Sequence, residues 1–156
     1  MSTTNEMKLI FDSIAENESF ARVTVGAFFT QLDPLLEEVC DVKTAVSEAV
    51  TNAIIHGYNQ EVHKIEVYAI IEFDKKCIRI EVTDFGCGIA DIEQAMEPLF
   101  TTKSELERSG MGFAFMEAFM DEIKVESEIG KGTKITMWKK VREAGEIKEE
   151  WTKQSL

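Results

Sequence analysis

Residues 64–88 read KIEVYAIIEFDKKCIRIEVTDFGCG, and this stretch decides the fold. Apolar side chains occupy every second position over residues 65–73 and again over 78–82, on either side of a polar turn. A two-residue period is typical of a half-buried strand. Two such runs joined by a short turn predict an antiparallel hairpin. The second strand ends at Asp84, and two closely spaced glycines follow it.

The rest of the chain adds helices and a second hairpin. Asp33-Pro34 separates two runs of helical periodicity, and Asp41 offers a second start within the longer of them. Gathering helices beside hairpin-paired strands indicates an α+β two-layer sandwich. The predicted elements are an edge strand at 7–14, helices at 17–32, 35–57 and 110–119, and a hairpin of strands 123–125 and 133–138.

Charge and composition limit the classes of function. The chain has 156 residues, 44% of them hydrophobic, which fits one compact domain. Its net charge of −12 repels phosphate backbones, so direct binding to nucleic acid is not expected. The same charge suits a basic protein partner, although it also fits a protein that is simply soluble.

The cysteines and the hydropathy pattern bear on the compartment. Cys40, Cys77 and Cys87 form no CxxC pair and no zinc-ligand spacing with histidine, which favours a reducing compartment. The N-terminal residues lack the apolar core of a signal peptide, and no stretch approaches the roughly 20 apolar residues of a membrane span. The sequence therefore predicts a cytoplasmic protein without a membrane partner.

Residues 47–58 read SEAVTNAIIHGY and place Glu48, Asn52 and His56 four residues apart on one helix face. A carboxylate and an amide on the same face offer hard oxygen ligands to a magnesium ion or a water. A solvated polar stripe on a surface helix has the same pattern. The motif alone does not decide between these two interpretations.

Two glycine motifs add candidate ligand contacts. In DFGCG, Asp84 is suited to accept a hydrogen bond from the exocyclic amine of adenine, while Gly86 and Gly88 let the backbone approach a flat ligand. In SGMGF, Gly110 and Gly112 open a helix whose N-terminal amides attract phosphate. The structural alternative for DFGCG is a tight turn capped by its aspartate, and that for SGMGF is a flexible hinge.

Three further patterns fail their context tests. The DFG at 84–86 has no HRD motif and no VAIK-type lysine before it, as a eukaryotic-type kinase would require. GKGT at 130–133 lacks the spacing of a phosphate-binding P-loop and predicts a hairpin turn. GMGFAF follows no predicted strand, which excludes a Rossmann fingerprint.

The order of the motifs carries more information than each motif does. A polar helix, an Asp-x-Gly-x-Gly loop after a strand and a polar lid ending in Gly-x-Gly resemble the GHKL ATPase superfamily. Through ENESFARVTV, SEAVTNAIIHGY, PLFTTK, ELERSGMGF and FMDEIKVES, the chain more closely resembles the anti-sigma F factors of spore-forming bacteria, a family of serine-protein kinases. The likeness covers residues 5–141, so one domain over 1–141 and a charged, peripheral tail over 142–156 are expected. It implies a GHKL (Bergerat-type) sandwich with a mixed sheet and helices on one face.

The resemblance also implies roles for single residues. Glu48 would be the general base, Asn52 a Mg²⁺ ligand, and Asp84 the partner of the adenine amino group. Arg22 on the first helix matches a position that binds protein partners, although an ordinary surface arginine fits equally. The remaining expected nucleotide contacts belong to the glycine motifs and the lid: Gly86, Gly88, Thr101, Thr102, Lys103, Arg108, Gly110 and Gly112.

The implied function joins two activities. Such a protein binds and inhibits sporulation sigma factor F, and it uses ATP with Mg²⁺ to phosphorylate a serine on an anti-anti-sigma antagonist. Bound ATP or ADP would bias the choice of partner, and a homodimer is implied as well. One alternative is a histidine-kinase ATP module, but His56 and His63 lie on no separate helical hairpin. Another is a nucleotide-binding protein without catalysis, against which Glu48 and Asn52 argue.

Overall fold

The hairpin predicted at residues 64–84 lies at the centre of a five-stranded sheet in the computed structural model, which describes residues 3–97 and 112–143. The strand order is β1-β2-β3-β5-β4. The strands are β1 (Thr4–Asp12), β2 (Lys64–Glu72), β3 (Cys77–Asp84), β4 (Glu122–Glu128) and β5 (Gly132–Lys140). Both predicted hairpins are confirmed, and the predicted edge strand is β1.

Helices complete the second layer. The longest, α2, contacts both α1 and α4, and the buried side chains of β2 alternate with more exposed ones along the strand. The four inward-facing residues of β2, Ile65, Val67, Ala69 and Ile71, are fully buried. The helices are α1 (Glu16–Phe29), α2 (Leu36–Asn52), α3 (Ile92–Ala95) and α4 (Gly112–Phe119), with a 3-10 turn at Thr30–Leu32. This arrangement confirms the α+β two-layer sandwich.

Local signals explain where α2 begins. Asp33 adopts a left-handed conformation with φ 53°, which ends the preceding helical turn before Pro34. The Glu38 carboxylate is buried and accepts a hydrogen bond from Leu35 N at 3.0 Å, as in a capping box. Its second oxygen accepts one from Arg142 N at 3.0 Å, so the same side chain ties the end of the sheet to the helix start.

Two details of the sequence interpretation need correction. All four strand pairings are antiparallel, so the expected mixture of strand directions is absent among the described strands. The reason is that two hairpins join through the β3–β5 pair, and β1 runs against β2 after the connection through α1 and α2. Helix α2 also passes through Asp41 without a new start.

The described segments bear on the predictions about disulfides and membrane spans. Cys40, Cys77 and Cys87 are free thiols. Among residues 3–97 and 112–143, no helix combines the length and the apolar character that crossing a bilayer requires. The predicted lid beyond Glu97 and most of the predicted C-terminal tail lie outside the described residues.

Candidate functional site

Asp84 ends β3, and the main chain of Gly57, Gly86 and Gly132 lies close around it; these surroundings are called the Asp84 recess here. The Asp84 side chain is 6% exposed, and the Gly86 amide donates a hydrogen bond to Asp84 Oδ1 at 3.0 Å. Burial raises the pKa of the Asp84 carboxyl, while hydrogen bonds from the backbone of Gly86 and Thr133 oppose that rise. A carboxylate keeps further acceptor capacity after two such bonds. The recess therefore presents a desolvated acceptor to a ligand.

The loop that follows, residues 84–88, is called the glycine loop here. It packs directly on the backbone of Gly57, whose carbonyl accepts a hydrogen bond from Cys87 N at 2.9 Å. A Cβ at Gly86 would lie 1.9 Å from Gly57 O, and one at Gly57 would lie 2.7 Å from the Asp84 carboxyl. This close approach between protein segments requires glycine at both positions, and approach of Gly86 to a flat ligand stays a prediction.

The turn between β4 and β5 supports the other side of the glycine loop. Gly88 has φ +77°, and a Cβ there would lie 2.2 Å from Glu128 O. The Gly130 amide donates to Cys87 O at 2.8 Å. A Cβ at Gly132 would lie 2.1 Å from Asp84 O. The GKGT stretch is thus a hairpin turn, as predicted, and it also forms a wall of the recess.

Glu48 and Asn52 lie one turn apart on α2, as their spacing predicted. Both side chains are partly buried. The amide nitrogen of Asn52 is buried and has no hydrogen-bond partner among the described residues. A buried polar group without a partner is costly in a folded protein, and a bound ligand is one way to satisfy it.

The helix widens after Asn52 into a π-helical turn over Ala53–Gly57, which sequence reasoning missed. Its i→i+5 bonding is visible in the contact from Tyr58 N to Ala53 O at 3.0 Å. The four-residue spacing to His56 therefore no longer corresponds to one turn of an α-helix. This turn carries Gly57 to the Asp84 carboxyl, and π turns are frequent at functional sites.

The residues present fit a magnesium ion that arrives with a nucleotide. No cluster of three or more histidine, cysteine, aspartate or glutamate side chains that could hold a metal occurs within the described segments. Mg²⁺ commonly takes only one or two protein ligands and completes its shell with phosphates and waters. The Asn52 amide, once turned to present its oxygen, is a ligand of that kind.

Arg22 lies on α1, close to the turn of α2 that carries Glu48. Its guanidinium contacts Glu18 Oε1 at 3.0 Å and Ser47 Oγ at 3.4 Å, and its side chain is 36% exposed. Phe20 and Val23 expose 54% of their surface on the same helix. Exposed apolar side chains and arginine are both common in protein-binding surfaces, and α1 carries both.

The predicted lid contacts are only partly described. Gly112 is buried and is the first described residue of α4. Thr101, Thr102, Lys103, Arg108 and Gly110 lie outside the described residues. Three further residues adjoin the glycine loop without having been predicted: Tyr58, Ser127 and Thr133. Only Tyr58 has a sequence signal, since it closes the SEAVTNAIIHGY motif.

A family model and several known proteins match most of this chain. A family model described as the histidine kinase-like ATPase domain matches residues 12–139. An anti-sigma F factor of Clostridium acetobutylicum is 62% identical over 136 residues, which cover 87% of this chain and 94% of the relative. Another anti-sigma F factor, from Thermoanaerobacter sp. (strain X514), is 58% identical over 139 residues, 89% of this chain and 96% of the relative.

A solved structure supports the fold independently. The crystal structure of the RsbU and RsbW domains of a Mycobacterium tuberculosis protein matches with a TM-score of 0.63 and 21% identity. The match covers 88% of this chain and 32% of that one, and at such identity it supports the fold alone. Together, the family model and the close relatives establish that the chain belongs to the histidine kinase-like ATPase domain family and, within it, to the anti-sigma F factors.

Proposed function

We propose that this protein binds and inhibits sporulation sigma factor F and uses Mg²⁺-ATP to phosphorylate a serine on an anti-anti-sigma antagonist. One observation carries the enzymatic half of the proposal. The π turn joins the buried Asp84 carboxylate to Asn52, whose amide nitrogen has no partner among the described residues, and Glu48 lies one helical turn before Asn52. The relatives named anti-sigma F factors support the other half.

Asp84 would bind the base of the nucleotide. Adenine carries an exocyclic amine that donates hydrogen bonds, and the Asp84 carboxylate is an acceptor in a desolvated recess. Gly86 and Gly88 would let main chain approach the ring face, because glycine has no side chain to keep the ring away. This end of the site would select an amine-bearing purine and leave the phosphates towards α2.

Glu48 and Asn52 would act at the phosphate end. Phosphoryl transfer depends mainly on in-line positioning and neutralisation of charge. Glu48 would accept the proton of the attacking serine hydroxyl, and Asn52 would help to hold the Mg²⁺ that comes with ATP. That ion supplies neutralisation of the phosphate charge. The remaining proposed phosphate and lid contacts are Thr101, Thr102, Lys103, Arg108, Gly110 and Gly112.

Arg22 would contribute to the surface that receives sigma factor F and the antagonist. The exposed side chains of Phe20 and Val23 on the same helix offer apolar contact area. The contact from Arg22 to Ser47 connects this surface to the helix that carries Glu48. A partner serine bound at α1 would therefore approach the proposed base from the neighbouring helix. A homodimer of the 1–141 domain is part of the proposal, and sedimentation velocity would test it.

The decisive experiment follows phosphate from labelled ATP to the antagonist protein in the presence of Mg²⁺. Glu48→Gln keeps the size of the side chain but removes the base, so we expect transfer to fall about 10²- to 10⁴-fold with ADP affinity retained. Glu37→Gln makes the same chemical change at an exposed position in the first turn of α2 and serves as the matched control.

The outcomes of this experiment distinguish a serine kinase from a nucleotide-binding protein without catalysis. Transfer by the wild type and by Glu37→Gln, but not by Glu48→Gln, supports a serine kinase with Glu48 as its base. ADP binding without transfer by the wild type would instead favour a nucleotide-binding protein without catalysis. Equal turnover in the Glu48→Gln protein would remove Glu48 from the base role.

A further inference from the structure

Two hydroxyl groups hold the glycine loop from opposite ends. The Tyr58 hydroxyl accepts a hydrogen bond from Phe85 N at 2.7 Å, at the first residue after Asp84. The Ser127 hydroxyl accepts one from Ile89 N at 2.7 Å, immediately beyond Gly88. We infer that Tyr58 and Ser127 are positioning residues for adenine-nucleotide binding, an assignment that rests on the proposed ATP site.

Tyr58 connects three elements through one oxygen atom. Besides accepting from Phe85 N, its hydroxyl donates to Lys64 O at 2.5 Å, at the start of β2. Its backbone follows the π turn and its ring is buried. Burial is the main cause that raises the pKa of the Tyr58 hydroxyl, so the group keeps its proton at neutral pH and remains a donor. The π turn, β2 and the glycine loop are therefore fixed relative to one another at this point.

Ser127 uses the full hydrogen-bonding capacity of its hydroxyl. It accepts from Ile89 N, donates to Gly132 O at 2.9 Å, and lies 2.8 Å from Thr133 Oγ1, which then donates to it. One donor and two acceptor positions are all that a serine hydroxyl offers. Ser127 thus joins the end of the glycine loop to the first residues of β5, next to Asp84.

The position of the two hydroxyl groups explains why ligand binding depends on them. The glycines of the loop have no side chains with which to fix its shape, and main-chain contacts support its middle. Phe85 N and Ile89 N bound the loop on either side, so loss of one hydroxyl frees one end and leaves a donor unsatisfied. The Asp84 carboxylate then samples more positions, and nucleotide affinity falls because the site is less preorganised.

The test compares nucleotide binding with catalysis. Tyr58→Phe removes only the hydroxyl, so we expect the KM for ATP and the Kd for Mg²⁺-ADP to rise about ten-fold, the factor that corresponds to 1.4 kcal/mol. We expect kcat at saturating ATP to stay within about two-fold, because the lost bonds run to Phe85 N and Lys64 O and do not involve the proposed base. Ser127→Ala should act in the same direction.

Tyr68→Phe is the matched control. The Tyr68 hydroxyl donates to Glu6 on the sheet, and its ring lies under the Arg79 guanidinium at 6.0 Å, away from the glycine loop. Its KM should equal that of the wild type. If Tyr58→Phe does not fold, Ser127→Ala decides the question.

The outcomes distinguish this inference from the proposed function. A wild-type protein that binds no Mg²⁺-ADP contradicts the ATP site itself. A wild type that binds, with unchanged KM and Kd in the Tyr58→Phe and Ser127→Ala proteins, overturns the positioning role alone. A lower Tm in both variants with unchanged KM, or a fall in kcat with unchanged KM, also overturns it.

Discussion

The glycine loop and the exposed side of α1 are built in opposite ways. In the glycine loop, backbone contacts backbone, and a single added Cβ at Gly86 would come within 1.9 Å of a carbonyl oxygen. On α1, the side chains of Phe20 and Val23 extend into solvent, and hydrogen bonds between side chains hold Arg22. The first region does not tolerate an added side chain at its glycines, whereas the side chains of the second can be altered without disturbing the fold. Substitutions should therefore affect nucleotide and partner binding separately.

Among the substitutions considered, Gly86→Ala should disturb the glycine loop most severely. Its Cβ would overlap Gly57 O, so the loop or the π turn must shift. We expect the free energy of unfolding to fall by about 3 kcal/mol, at the upper end of overpacking costs, and ADP binding to be lost. Denaturant unfolding without nucleotide and calorimetry with Mg²⁺-ADP measure the two effects.

Gly130→Ala is the control for that change. Beyond its chain neighbours, no heavy atom of the described residues would lie within 4 Å of its Cβ, so the left-handed backbone, with φ +80°, is what opposes it. That strain costs about 1–2 kcal/mol. Equal losses of stability and binding in the two variants would show that collision with Gly57 is not what demands glycine at position 86.

Asp84→Asn should separate binding from stability within the same region. The amide presents a donor to the adenine amine, so we expect ADP affinity to fall about 10- to 100-fold, as for loss of a hydrogen bond to a charged group. The free energy of unfolding should instead increase. Because burial raises the pKa of Asp84 in the folded state, the ionised carboxylate destabilises the protein above that pKa.

The gain in stability from Asp84→Asn should depend on pH, because it comes from removing a buried charge. At pH 7 the amide that replaces the carboxylate carries no buried charge, so the Asp84→Asn protein should have the higher Tm. The difference should shrink as pH falls through the raised pKa and vanish below the unfolded value of about 3.9. Thermal unfolding followed from pH 7 down to below the unfolded value measures it. A lower Tm for Asp84→Asn at pH 7 would contradict the desolvation argument.

Arg22→Ala should have the smallest effect of these substitutions, and it should weaken only partner binding at the exposed side of α1. We expect sigma factor F to bind about ten-fold more weakly, as for one interfacial arginine of moderate weight. ADP affinity should not change, because the described contacts of Arg22 are with α1 and Ser47. Arg79→Ala, on the sheet near Tyr68, provides an arginine control. Unaltered capture of the sigma factor by Arg22→Ala would leave Arg22 an ordinary surface residue.

The sequence predicted the elements whose signals are local. Alternation at residues 65–82 identified the central hairpin, and helical periodicity located α1 and α2 to within a few residues. Gly86 and Gly88 were singled out for approach to a flat ligand, whereas the structure shows that they approach the protein backbone at Gly57 and Glu128. The roles of Glu48 and Asn52 remain predictions, although their placement on one turn of α2 agrees with the spacing.

What the sequence did not predict depends on distant contacts. The π turn at Ala53–Gly57 follows a helical pattern without interruption, because its wider hydrogen bonding leaves no mark in hydropathy. The antiparallel pairing of β3 with β5 joins residues that lie far apart in the chain, Asp84 with Thr133 among them. The bonds from Phe85 and Ile89 to Tyr58 and Ser127 likewise need the assembled fold.

The walls of the Asp84 recess have a consequence for inhibition. Gly57, Gly86 and Gly132 contribute backbone atoms, and any substitution at these positions would collide with neighbouring main chain or with Asp84 itself. A competitive inhibitor that fills this recess would meet few side chains that mutation could change without harm. Resistance to such a compound should therefore arise outside the recess, where variation is compatible with a folded and active protein.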